Sequence, residues 1–141
     1  MPGTVSLLYV EDEADTRELL TNMLKLCGYN CIVAENGRKG LELYHRYIPD
    51  VVLSDIRMPV MSGLEMARAI RADFPEAQFI FMTALGDNKN ILEAIDIGIS
   101  QYVVKPVELP KFLAAISHCA ANIRPKAEVL RIKHLNQAGQ P

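Results

Sequence analysis

Five short apolar runs, each followed by a stretch with helical spacing, constrain this chain more than any other feature. The runs are Ser6-Leu7-Leu8-Tyr9-Val10, Cys31-Ile32-Val33-Ala34, Val51-Val52-Leu53, Phe79-Ile80-Phe81-Met82 and Gln101-Tyr102-Val103-Val104. A short, nearly unbroken apolar run reads as a strand buried on both faces. Leu19, Leu20, Met23, Leu24 and Cys27 then mark a first inner helix face, stopped by Gly28. Leu41, Tyr44 and Ile48 mark a second, ended by Pro49, and Leu64, Ala67 and Ile70 a third, ended near Phe74-Pro75. Ile91, Leu92 and Ile95 precede Gly98 in a fourth helix. A fifth starts near Leu109 and turns Phe112, Leu113, Ile116 and Cys119 or Ala120 inward. Strands alternating with helices specify an α/β fold, a five-stranded parallel sheet, doubly wound, with helices on both faces.

At 141 residues the chain has the length of one domain, able to bury a core without staples. The formal net charge of -2 gives no reason to expect nucleic acid or an anionic membrane as a direct ligand. No apolar run approaches the ~18 residues of a membrane span, and no signal pattern opens the chain, so a cytoplasmic protein is expected. Cys27, Cys31 and Cys119 are an odd set with no visible metal partners, and read as reduced, buried small residues. The five-strand unit occupies residues 1–122. Residues 123–141 exceed it, set off by Pro125, with Val129, Ile132 and Leu135 at helical spacing. They read either as a weakly ordered helical tail or as the start of a connector to an output domain or a helix pairing two protomers. The ending Gly139-Gln140-Pro141 is not a natural helix end, which fits an excised piece of a longer protein.

The strand exits carry the chemistry. Glu11 and Asp12 follow the first strand, Asp55 the third, Thr83 the fourth and Lys105 the fifth. In a doubly wound sheet these ends converge on one edge, where open α/β sheets hold their ligands. Carboxylates ~4 Å apart repel by about 4 kcal/mol per pair at an effective dielectric near 20. A hard dication offsets that repulsion, and Mg2+ suits a site of a few carboxylates and waters. Lys105 adds a second positive charge. Asp55 then reads as a carboxylate nucleophile that forms an acyl phosphate, its new oxygens met by the metal, by Lys105, and by the Thr83 hydroxyl or a nearby backbone N–H such as that of Ala84. Taken singly, each residue has a plainer role: Asp12 or Asp55 as a helix cap, Lys105 as a surface lysine, Thr83 as a turn residue. Capping does not require all of them at four strand ends.

The stretches Leu8-Tyr9-Val10-Glu11-Asp12-Glu13, Asp55-Ile56-Arg57-Met58-Pro59 with Ser62-Gly63, Met82-Thr83-Ala84 and Tyr102-Val103-Val104-Lys105-Pro106 together resemble the receiver domain of two-component response regulators, over roughly Val5 to Asn122. The resemblance implies a flavodoxin-like strand order 2-1-3-4-5. It makes Asp55 the phosphoacceptor and Asp12 a direct Mg2+ ligand. Glu11 would act through metal-bound water, and the backbone carbonyl of Arg57 would be a further ligand. Thr83 and Lys105 would contact the phosphoryl group, and the Lys105–Pro106 bond would be cis. It also implies a switch: Thr83 moves toward the phosphoryl oxygen, Tyr102 turns inward, and the surface of the fourth helix, fifth strand and fifth helix changes. The implied partners are a histidine kinase or phosphotransfer protein, an output domain or partner protein, and a second copy of the phosphorylated chain. No enzymatic activity is implied beyond the module's own phosphorylation and dephosphorylation.

One departure is visible. Winged-helix regulators of this family carry an acid just before the switch aromatic, for dimer salt bridges; here Ser100-Gln101 stand there, with Ile91, Ile95, Ile97 and Ile99 offering an apolar contact instead. Other readings fit less well. An Asp-dependent phosphatase needs a second acid two residues after its nucleophile, where this chain has Arg57. A flavin-binding protein needs a phosphate loop where Glu11-Asp12-Glu13 would repel one. A receiver that has lost phosphorylation would not keep the acids, Thr83 and Lys105 together. His45, His118 and His134 lie on helices, away from the strand exits, and read as surface residues.

Overall fold

Parallel pairing places β1 (Ser6–Val10) between β2 (Asn30–Ala34) and β3 (Val51–Asp55), with β4 (Phe79–Thr83) and β5 (Gln101–Val104) beyond, giving the order β2-β1-β3-β4-β5. This is the flavodoxin-like order, in a computed structural model that describes residues 5–99, 101–123 and 126–138. The readings placed on Ser100, Pro125 and Gly139–Pro141 lie outside the described residues. Every residue of β3 and β4 is buried, as their apolar runs require, whereas the edge strand β2 is half open.

Side chains alternate between the two faces with the strand period of two. Leu8, Val10, Val52, Phe79 and Phe81 point to one core, and Leu7, Tyr9, Val51, Leu53, Ile80, Met82 and Val103 to the other. The first core is covered by α2 (Gly37–Tyr47), α3 (Gly63–Asp73) and α4 (Asn88–Ile97), the second by α1 (Ala14–Leu26) and α5 (Leu109–Ala120). Local chemistry sets several ends. Asn36 caps α2 by accepting from the Lys39 N–H, and Ser62 and Glu65 form a reciprocal capping box on α3. Gly98, at φ +97°, closes α4 in the left-handed region.

Three expectations change. Leu19 is 61% exposed and Cys27 is exposed, because the inner stripe of α1 is narrow and runs through Leu20, Thr21 and Leu24. Cys27 lies at the helix end, where the chain already turns outward. Cys31 sits half-buried on the edge strand, so of the cysteines Cys119 alone is a core residue. On α4 the residue that enters the core is Ala94, while Leu92 and Ile95 face out at 67% and 56% exposed.

A sixth helix, α6 (Lys126–Ala138), folds back against α3. Val129 joins the core on that side and Lys133 Nζ sits 5.0 Å from the centre of the Phe74 ring. Between α6 and the base of the sheet lies a cleft of about 490 Å3, at the end of the strands opposite their exits. Among the described residues no helix is long and apolar enough to cross a membrane.

Candidate functional site

Because the strands are parallel, their C-terminal ends meet on one edge. The Glu11 N–H donates to the Ala34 carbonyl at 3.0 Å, extending the β1–β2 ladder one step and fixing Glu11 at the rim. Asp55 is the last residue of β3, in register with Met82, and Thr83 is the last of β4. The Lys105 N–H donates to the Thr83 carbonyl at 2.8 Å, which holds the residue after β5 beside β4. Glu11, Asp12 and Asp55, far apart in sequence, each place a carboxylate oxygen within 4.8 Å of the others. Glu11 and Asp55 are 2% exposed, while Asp12 is open to solvent. Lys105 Nζ lies 2.5 Å from Asp55 Oδ1.

The electrostatics are unbalanced. Burial first, and then the neighbouring Asp55 carboxylate, push the Glu11 carboxyl up to about 7. Burial by itself would lower the Lys105 ammonium, but the Asp55 carboxylate, helped by Glu11 and Glu13, carries it above its ordinary value. The Lys105 ammonium is the partner of the buried Asp55 Oδ1, and that one cation faces the three carboxylates of Glu11, Asp12 and Asp55. Three carboxylates offset by a single lysine leave a surplus of negative oxygens that fits a hard cation. The acidic group can hold a metal ion.

The other residues expected at the site stand around this cluster. Arg57, Thr83, Ala84 and Lys105 line a cavity of about 370 Å3 with Asp55. The Thr83 hydroxyl is turned toward its own loop and donates to the Ala84 carbonyl at 3.4 Å. The Tyr102 hydroxyl donates to the Ile99 carbonyl at 2.6 Å and its ring is half-buried on β5, with β4 between it and the strand of Asp55. The Lys105–Pro106 peptide is cis.

Three supporting residues, two of them inside the quoted stretches, had no role assigned from the sequence. The Tyr9 hydroxyl donates to Glu11 Oε1 at 3.3 Å from within the core. Burial, then Glu11 and Asp55, keep that phenol protonated far above its ordinary range. Its position two residues before Glu11, on the same face of the strand, was the available signal. Arg17 donates to the Glu11 carbonyl at 2.7 Å. Gly63 packs so closely under the end of β3 that a Cβ there would strike the Asp55 carbonyl oxygen.

Residues 7–117 match the model of the response regulator receiver domain. A probable transcriptional regulator, ycf27, of Guillardia theta is 39% identical over 109 residues, which are 77% of this chain and 42% of that protein. The chemotaxis protein CheY of Listeria monocytogenes is 33% identical over 117 residues, 82% of this chain and 98% of that protein. The chain thus spans less than half of the first relative and nearly all of the second. The structure of a response regulator receiver domain protein from Clostridium thermocellum superposes with a TM-score of 0.78 at 27% identity, covering 82% of this chain and 93% of that one. With its strand order and the acids gathered at its strand exits, the chain belongs to the response regulator receiver domain family of two-component signalling.

Proposed function

We propose that this chain is a phosphorylation-driven switch that takes a phosphoryl group onto Asp55 from a histidine kinase or phosphotransfer protein. The observation that carries the reading is the buried Asp55 carboxylate at a strand exit, with the Lys105 ammonium on one of its oxygens and the Glu11 and Asp12 carboxylates beside it. An Asp55 oxygen attacks phosphorus, the N–P bond of a phosphohistidine donor breaks, and an acyl phosphate forms. Glu11, Asp12, Asp55 and the Arg57 carbonyl would hold Mg2+, which when bound offsets the charge gathered on the phosphoryl oxygens. Lys105 pairs with one phosphoryl oxygen. The Thr83 hydroxyl leaves the Ala84 carbonyl to reach another, and the Ala84 N–H supplies a further donor.

That movement empties space beside β4, and Tyr102 turns in to fill it, changing the surface of α4, β5 and α5. Leu85, Leu92, Ile95 and Val104 lie exposed on that side, an apolar set suited to an output domain, a partner protein or a second phosphorylated copy. The module performs no chemistry beyond its own phosphorylation and dephosphorylation. A cytoplasmic setting, with no direct contact to nucleic acid or membrane, follows from this role. Incubation with acetyl phosphate and Mg2+ followed by intact mass tests it: the wild type gains one phosphoryl group and Asp55→Asn gains none. A phosphate adduct that survives in Asp55→Asn removes the assignment.

A further inference from the structure

Arg57 and Asp87 both line the Asp55 cavity and pair with each other, Nη2 to Oδ1 at 3.0 Å, joining positions 30 residues apart. The two ends differ in kind. The Arg57 side chain is 77% exposed and leaves the fixed exit of β3, whereas the Asp87 side chain is 11% exposed and belongs to the loop that carries Thr83 into α4. Asp87 stands at the N-cap position of α4 yet makes no capping bond. Its carboxylate is turned to Arg57 and to Asn90 Nδ2, at 3.0 and 2.8 Å. A residue placed to cap a helix is therefore spent on a cross-loop contact. The other ties at this end are local: the Asp87 N–H donates to the Ala84 carbonyl at 3.2 Å and the Asn88 N–H to the Gly86 carbonyl at 2.9 Å, while the buried side chain of α4, Ala94, lies further along the helix.

We propose that the Arg57–Asp87 pair is a tie that holds the loop between β4 and α4 in its resting position, so that Arg57 and Asp87 set how readily Asp55 is phosphorylated. The inference rests on the phosphoacceptor reading. The Thr83 hydroxyl is bound inside that same loop, to the Ala84 carbonyl. To serve a phosphoryl group on Asp55 it must leave that carbonyl, and residues 83–87 must reshape while Arg57 still pulls on Asp87. A bond made only in the resting state lowers the population of the competent state by its own equilibrium factor. For an ion pair with one end largely exposed that factor is about two- to fivefold.

The test uses Asp87→Asn, Arg57→Gln, and the charge-reversed double variant Arg57→Asp with Asp87→Arg. Two quantities are read: the rate of phosphorylation by acetyl phosphate with Mg2+, by intact mass, and amide hydrogen exchange in the first turn of α4 without phosphate. Each single variant is expected to be phosphorylated about two- to fivefold faster and to exchange faster at α4, and the reversed pair to return both toward wild type. Arg57→Gln alters an exposed side chain and leaves the backbone carbonyl in place, so it reports even where Asp87→Asn unfolds. Wild-type values of both quantities in the single variants overturn the tie, as does a reversed pair that restores neither. A wild type that takes no phosphate overturns the phosphoacceptor reading instead, and hydrogen exchange still decides whether the tie exists.

Discussion

In the absence of a divalent ion, this protein should lose stability as pH rises from 5 to 7.5, and Glu11 should account for most of the loss. Glu11 is buried, and its carboxyl is raised from 4.5 to about 7 by burial and by the neighbouring Asp55. The folded state therefore keeps a proton that the unfolded chain gives up near its ordinary value. Between those two values the unfolded state binds fewer protons, so stability falls with rising pH and the loss is complete above about 7. At about 1.4 kcal/mol per pH unit the full effect is about 3 kcal/mol, a large share of the ~5–15 kcal/mol that holds a domain of this size together. A divalent ion at the acids favours ionised Glu11, so Mg2+ should restore most of the loss at pH 7.5 and little at pH 5. The assay is urea unfolding at half-unit pH steps, with EDTA or with Mg2+, for wild type and Glu11→Gln. The substitution should flatten the pH dependence and shrink the gain from Mg2+. A pH slope unchanged in Glu11→Gln, or stability that climbs through this window without metal, would refute the reasoning.

Other substitutions probe the site and its supports. Gly63→Ala should destabilise the protein by about 1–3 kcal/mol in urea melts and slow phosphorylation, because the new methyl strikes the Asp55 carbonyl oxygen and the Phe81 ring. Lys105→Ala should still bind Mg2+ by calorimetry, yet its phosphorylated form should lack the hydrogen-exchange change at α4 and β5 seen in wild type. Phe74→Ala should cost about 3–5 kcal/mol, since Phe74 is 2% exposed and meets the rings of Tyr44 and His45 at 5.1 and 5.4 Å. It should also release α6, measured as faster proteolysis after the Lys126–Ala138 lysines and arginine, because Lys133 rests on that ring.

Much of the fold was legible because burial on both faces leaves a simple trace. Val51-Val52-Leu53 and Phe79-Ile80-Phe81-Met82 are apolar throughout, and both become fully buried strands. The helices were less legible in their facing. A spacing of three and four says that a helix has an apolar stripe but not how wide a neighbour covers it. Leu20 and Leu24 found the core while Leu19 did not, and on α4 the small Ala94 displaced Leu92 and Ile95 from it. The tail from Lys126 carried too weak a pattern to show that it would lie against α3 rather than stand alone.

The order of residues by itself determined the α/β alternation, the strand boundaries to within a residue or two, and which acids, hydroxyl and lysine stand at strand exits. Periodicity and turn chemistry act over a few residues, and both are written in the local string. Tertiary structure alone decided that Glu11 is buried against Asp55, that Lys105 pairs with the buried Asp55 Oδ1, and that Arg57 reaches Asp87. Coulomb forces and desolvation depend on distance through space and on access to water, and neither is defined until the chain has folded.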